Sequence, residues 1–270
     1  MSKITVITPT WNQAAYIADT IESVINQSYR DIEYIIVDNE SNDGTREIVE
    51  KYSAADKRII YIREKDKGQA EAINKGLERA TGDIVCWLNS DDFFYNNDVL
   101  ERVVKAFDDN TQIVVGDAWY CDKEKNMTIY NASDRKVKPW VLSRWYYIVQ
   151  PSVFWKKNEY RLDETYHYVF DWKFFINMFS AYNVKYSHEA YSVYRMYENN
   201  KTGLDNAGRK KEIYMLQKEL NVSKLNIKWC HRVWKMYEKA EKQEKSGIKK
   251  RYDFYNKLLF HISGKRICSF

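Results

Sequence analysis

Ile84-Val85-Cys86-Trp87-Leu88-Asn89-Ser90-Asp91-Asp92 is the stretch on which the fold turns. Five apolar residues in succession predict a strand buried on both faces, and the polar turn after it ends in two adjacent acids. Before it, Ala70 to Ala80 has helical spacing and stops near Thr81-Gly82, preceded by a strand at Ile59 to Arg63. Further back lie a helix from Thr45 to Tyr52, a strand at Tyr34 to Val37, and a helix from Tyr16 with Ile17, Ile21, Val24 and Ile25 in register. The first strand, Ile4 to Thr8, is expected to stop at Pro9, which lacks an N–H for a central ladder. After the acids come a helix, Val99 to Phe107, and a strand, Ile113 to Val115. Such alternation predicts an α/β fold: a mostly parallel sheet with helices on both faces. Beyond Gly116 the pattern turns irregular and aromatic, with Trp119, Tyr120, Trp140, Trp145, Tyr146 and Tyr147, before a helical stretch from Asp171 to Tyr182.

Asp38 follows the second predicted strand, Asp66 the third, and Asp91-Asp92 the fourth. Parallel strands share one carboxyl edge, so these acids are expected to meet on one rim, where such sheets bind ligands. Each alone reads as a turn former. As a set, mutually repelling carboxylates imply a hard divalent cation, Mg²⁺ or Mn²⁺, held by one or two of them together with substrate phosphates.

The chain has 270 residues, 44% apolar and 16% aromatic, with nine Gly and three Pro, which excludes collagen-like and disordered classes. No apolar run approaches the roughly 18 residues of a bilayer crossing. The N-terminus enters an alternating apolar pattern without the zones of a secretory signal, so a cytosolic protein is expected. Cys86, Cys121, Cys230 and Cys268 form no C-x-x-C pair, and His167, His188, His231 and His261 have no ligand spacing. Phosphate-loop, G-x-G-x-x-G, H-E-x-x-H and G-x-S-x-G motifs are absent. From Ala207 onward 17 basic residues face 6 acids, whereas residues 1–206 carry 26 basic against 32 acidic. Two parts are therefore expected, 1–206 as the catalytic domain and 207–270 as a basic, amphipathic helical extension, each meeting different partners.

Three motifs carry a resemblance: Thr8-Pro9-Thr10-Trp11-Asn12, Val37-Asp38-Asn39-Glu40-Ser41-Asn42-Asp43-Gly44-Thr45 and Trp87-Leu88-Asn89-Ser90-Asp91-Asp92. In this order they resemble the signatures of family 2 glycosyltransferases, of the bacterial branch that builds surface polysaccharides. The likeness extends through Gly68-Gln69-Ala70-Glu71-Ala72-Ile73-Asn74-Lys75-Gly76, Gln150-Pro151-Ser152, Leu162-Asp163-Glu164, and Tyr194-Arg195 with Lys201-Thr202, covering roughly residues 3–202. It implies the GT-A fold, a nucleotide-diphosphate sugar as donor, a divalent cation, and transfer with inversion. Thr8, Pro9 and Asp38 match positions that hold the base and ribose, and Asp66 and Gly68 the loop beside the base. Asn89, Asp91 and Asp92 match the D-x-D-D segment that meets ribose, metal and diphosphate. Asn89 replaces the usual Asp, removing one negative charge, and either Asp91 or Asp92 is the direct metal ligand.

Inverting transfer needs a carboxylate opposite the leaving diphosphate to take the acceptor's proton. Asp171 matches the second member of the family's Glu-Asp pair, with Phe170 in place of the Glu, although a first-turn helix Asp is common in its own right. Asp163 and Glu164 are the runners-up and read otherwise as a turn. Arg195 or Lys201 is expected to close over the diphosphate, and Gln150 to face the sugar hydroxyls. In the extension Ile227, Cys230, Trp234 and Tyr237 share one helical face amid lysines. That pattern suits an anionic membrane surface, at about 1 kcal/mol per basic residue, and equally suits packing onto the body; no nucleic-acid module accompanies it. The activity expected is transfer of a sugar, UDP-linked by preference, to a glycan or lipid-linked glycan. Two alternatives stand beside it: a nucleotide-sugar-binding scaffold without activity, favoured by Asn89 and Phe170, and a sugar-1-phosphate nucleotidyltransferase, which lacks its glycine-rich loop here.

Overall fold

A computed structural model describes residues 2–122, 126–130, 142, 146, 148–197 and 207–221. Lys201, Trp140, Trp145, Tyr147, Cys230, Cys268, His231, His261 and the extension from residue 222 lie outside them. The chain divides into two compact units, residues 1–136 with 148–205, and residues 137–147 with 206–270. The first holds one sheet of nine strands: β1 (Ile4–Thr10), β2 (Ile32–Asp38), β3 (Ile59–Arg63), β4 (Ile84–Trp87), β5 (Phe93–Phe94), β6 (Ile113–Cys121), β7 (Met127–Tyr130), β8 (Val153–Lys156) and β9 (Val184–Arg195). Its helices are α1 (Ile17–Ile25), α2 (Thr45–Ala55), α3 (Gln69–Arg79), α4 (Val99–Ala106) and α5 (Phe170–Ala181). In the second unit the described helix is α6, Ala207–Glu219.

The strand order β3-β2-β1-β4-β8-β6-β9-β5 has two halves. From β3 to β4 every pairing is parallel, as the β/α alternation requires. Every residue of β1, β2 and β4 is buried, so helices cover both faces of the sheet there. Each fully buried aliphatic side chain contributes about 1.5–3 kcal/mol. α3 lies so close to β1 that a Cβ on Gly76 would come within 2.5 Å of Ile7 Cγ2; Gly76→Ala is expected to cost about 1–3 kcal/mol. The other half is mixed: β8 joins β4 and β6 antiparallel, β5 joins β9 antiparallel, and β9 runs parallel to β6.

Two expectations about strand ends fail. β1 does not stop at Pro9 but continues to Thr10, in register with Asp38. The Thr10 carbonyl accepts from Asn39 N–H on the β2 side, so the donor that Pro9 lacks faces the other side, beyond the end of the β1–β4 pairing at Ile7 and Trp87. Nor does the region past Gly116 become irregular at once, since β6 runs on to Cys121. Gly116 lies against the Tyr191 ring, 2.2 Å from where a Cβ would stand. The β6–β9 register shifts between Val115 and Asp117 and again before Ala118, so this glycine marks a bulge rather than a strand end.

Candidate active site

The parallel half gathers polar side chains at its carboxyl edge. Asp38, the last residue of β2, is fully buried and accepts three hydrogen bonds: from Ser41 N–H at 2.9 Å, Ser41 Oγ at 2.5 Å and Tyr61 Oη at 2.6 Å. A carboxylate offers about four acceptor positions, so Asp38 keeps capacity for one more donor. Next to it, Asn39 Oδ1 accepts the Asp66 N–H, and Asp66 Oδ1 accepts the Gly68 N–H at the start of α3, both at 2.9 Å. Burial raises the Asp66 carboxyl above its ordinary range, and its Oδ2 is buried with no hydrogen-bond partner. The same is true of the Thr10 hydroxyl, opposite Asp38 in register. Two orphaned polar atoms on one rim suit a polar ligand, because burying such a group unpaired costs about 1–3 kcal/mol. Trp11 stands 62% exposed beside them.

A second group forms where β4 ends. Asn89 accepts from Gln69 Nε2 at 2.8 Å and donates to Asp92 Oδ2 and Gln150 Oε1, both at 3.2 Å. Asp92 is fully buried, and its other oxygen accepts the Arg195 backbone N–H at 3.1 Å. Asp91 is half-buried and accepts from Tyr197 Oη at 2.8 Å. Burial, and then the charge of Asp91, push the Asp92 carboxyl well above its usual range. Asp91 is raised by burial, against the Tyr197 hydrogen bond and the Arg195 charge. Adjacent carboxylates with raised pKa values are the donor set a hard divalent cation stabilises. Among the described residues no three His, Cys, Asp or Glu cluster as ligands, so a cation here would take its remaining ligands from outside the protein, as Mg²⁺ commonly does from phosphate oxygens and water.

Asp171 lies in the first turn of α5. Three residues on, Phe174 packs on Trp87, the last residue of β4, with ring centroids 5.6 Å apart, and Phe175 stacks on the same indole at 5.2 Å. The aromatic faces thus pack α5, which carries Asp171 in its first turn, against the last residue of β4, and Asp171 accepts the Trp172 N–H at 2.7 Å. Gln150, buried, donates to the Trp87 carbonyl at 2.6 Å and accepts from Asn89, which ties the 3-10 turn Gln150–Ser152 to the acidic segment.

Other predicted residues are held elsewhere. The Thr8 hydroxyl is buried against Tyr34 Oη at 3.0 Å, so only its backbone belongs to the rim. Asp163 accepts from Thr165 and pairs with Lys173 at 2.7 Å, and Glu164 accepts from Asn74 at 2.8 Å, the turn role open to both. The Arg195 guanidinium pairs with Asp19 at 2.6 Å and lies over the Tyr16 and Phe93 rings at 5.2 and 4.8 Å. Arg195 reaches the acidic pair through its backbone N–H, which donates to Asp92, and through its charge, which opposes the effect of burial on both carboxyls. Thr10, Ser41 and Gln69, which the quoted motifs contain without an assigned role, join the site, as do Tyr61 and Tyr197. Tyr61 alone was readable from register, since it lies two residues before Arg63, the partner of Asp38, on the same strand face.

The chain is similar to known proteins over the same region. The family model "Glycosyl transferase family 2" matches residues 5–197. TuaG of Bacillus subtilis (strain 168), a glycosyltransferase named for teichuronic acid biosynthesis, is 48% identical over 101 residues, 37% of this chain and 39% of TuaG. Glycosyltransferase GlyA of Streptococcus pneumoniae serotype 4 is 32% identical over 129 residues, 48% of this chain and 18% of GlyA. The chain thus spans less than half the length of either relative. Among solved structures, S. aureus TarS 1-349 in complex with UDP-GlcNAc has a TM-score of 0.66 at 19% identity, covering 79% of this chain and 64% of that one. The mannosyltransferase PcManGT from Pyrobaculum calidifontis, with GDP-Man and Mn²⁺, has a TM-score of 0.58 at 21% identity, covering 74% and 59%. These two likenesses establish the shared fold.

Proposed function

The chain belongs to glycosyl transferase family 2, and from that premise we propose that it is a cation-assisted, inverting glycosyltransferase. It takes its sugar from a nucleotide-diphosphate donor, UDP-linked by preference, and delivers it to a hydroxyl of a glycan or lipid-linked glycan in surface-polysaccharide synthesis. The observation that carries this reading is the adjacent pair of Asp91, half-buried, and Asp92, fully buried, at the end of β4, on the same sheet edge as Asp38 and Asp66.

In this reading the nucleoside lies along the first three strand ends. Trp11 offers an exposed ring face for the base, while Asp38, with one acceptor position left, the free Asp66 oxygen and the Thr10 hydroxyl meet base and ribose polar atoms. Asp91, beside Asp92, would hold a divalent cation, Mn²⁺ or Mg²⁺, whose charge would offset that of the departing diphosphate. Asp92, with both oxygens engaged, orients the segment, and the half-exposed Asp91 is the direct ligand. Asp171 takes the proton from the acceptor hydroxyl as that oxygen attacks the anomeric carbon. Asn89 donates to Asp92 and is itself held by Gln150.

The strongly basic last 64 residues motivate an acceptor presented at an anionic membrane surface. Among the described residues no helix is long and apolar enough to cross a membrane; the basic charge of the extension carries the proposal of peripheral association with an anionic membrane face. Stronger sedimentation of the full chain with vesicles containing anionic lipid than with neutral ones, lost in high salt, is the expected result.

Calorimetry with a panel of nucleotide sugars and Mn²⁺, followed by assay of UDP release with extracted lipid-linked glycans, tests the central reading. One donor is expected to bind only with the cation, and Asp171→Asn to retain binding while turnover falls about 10²–10⁴-fold. Donor binding without transfer to any acceptor would favour the inactive scaffold, and pyrophosphate release from a nucleoside triphosphate the nucleotidyltransferase.

A further inference from the structure

The end of β9 touches both acids of the pair. Arg195 N–H donates to Asp92, and two residues on Tyr197 Oη donates to Asp91 Oδ2 at 2.8 Å. The phenol is itself held in place. Its ring stacks on Tyr16 with centroids 5.2 Å apart and planes at 28°, and Gln13 hydrogen-bonds the hydroxyl. Tyr16 lies under the Arg195 guanidinium, which is pinned to Asp19 and Phe93. The hydroxyl therefore has a fixed position and a fixed target.

We propose that Tyr197 is a positioning residue for the cation site: it holds one oxygen of Asp91 and so presents the other to the metal. The inference rests on the cation reading of Asp91 above. Asp92 is less suited to the same role, since it is fully buried and each of its oxygens already accepts a hydrogen bond. Asp91 has its second oxygen for coordination, and a neutral phenol orients it without cancelling its charge, which a basic side chain would do. With one oxygen held, Asp91 binds the cation through a single atom and leaves more of the coordination sphere to the diphosphate. Metal affinity is thereby coupled to nucleotide. Partners that orient a ligating carboxylate are worth about 10–100-fold in metal affinity.

Free Mn²⁺ measured by electron paramagnetic resonance, with and without UDP, tests this in the full chain. Tyr197→Phe keeps the ring stack on Tyr16 and removes only the hydroxyl, and an unchanged thermal midpoint shows that it is folded. The expected result is a loss of about 10–100-fold in Mn²⁺ affinity in the presence of UDP, with a smaller gap between the affinities with and without UDP than in the wild type. Equal or tighter binding by Tyr197→Phe would overturn the positioning role while leaving the cation reading intact. Absence of Mn²⁺ binding by the wild type under both conditions would remove both.

Discussion

The two acidic sites on the rim are built in opposite ways. Asp38 is buried with three donors aimed at it, so its charge is met by the protein itself. Asp91 and Asp92 are packed side by side with fewer donors, and burial raises both. Burying a charge with its hydrogen bonds made yields a rigid surface feature; burying two like charges together stores unfavourable energy that a cation can release. The first site reads as a template for neutral polar atoms, the second as a receptor for positive charge.

The largest expected effect separates the two directly. Asp91→Asn is expected to lower kcat about 10²–10³-fold with stability unchanged or raised, because it removes repulsion; parallel assays of turnover and urea unfolding check both halves. On the other side, Ser41→Ala takes a hydrogen bond from a buried carboxylate and another from the Asn12 N–H. A loss of about 1–3 kcal/mol in urea stability is expected, and no loss would mean that Asp38 is less constrained than its geometry indicates.

The pH dependence is a smaller signature. A carboxyl raised in the folded state keeps its proton where the unfolded chain has released it. Its contribution is constant below the ordinary carboxylate range, near pH ~4, and stability is lost as pH rises through the raised pKa. Without cation, the wild type is expected to lose stability relative to Asp92→Asn over that window, and saturating Mn²⁺ to cancel the difference. Parallel curves for the two proteins would contradict the assignment. The smallest effect is expected for Asp19→Asn, about 0–1 kcal/mol in urea unfolding, because Asp19 is 61% exposed in its pair with Arg195. A larger loss would mean that the pair with Asp19 anchors the end of β9 more firmly than its exposure indicates.

What was legible in the sequence follows the same division. In the parallel half each strand is local to its helix, so periodicity revealed the elements and put Asp38, Asp66, Asp91 and Asp92 on one edge. The mixed half depends on pairings between distant segments, such as Val114 with Phe154 and Trp119 with Val193, which no local pattern encodes. β8 and β9 were consequently unforeseen, and with them the hold of Arg195 and Tyr197 on the acids. Pro9 and Gly116 misled for a related reason: each marks a place where the ladder is open or bulged, a property of the neighbouring strands.

The pairing of β5 with β9 sets a timetable for synthesis. Phe93 follows Asp92 directly, yet its partner Val193 leaves the ribosome one hundred residues later. The first four strands can pair with one another while the chain is still being made, but the acidic segment gains its final hold only once β9 has arrived. A chain interrupted in the middle of translation would then have the parallel half in place but lack the strand whose end holds Asp91 and Asp92.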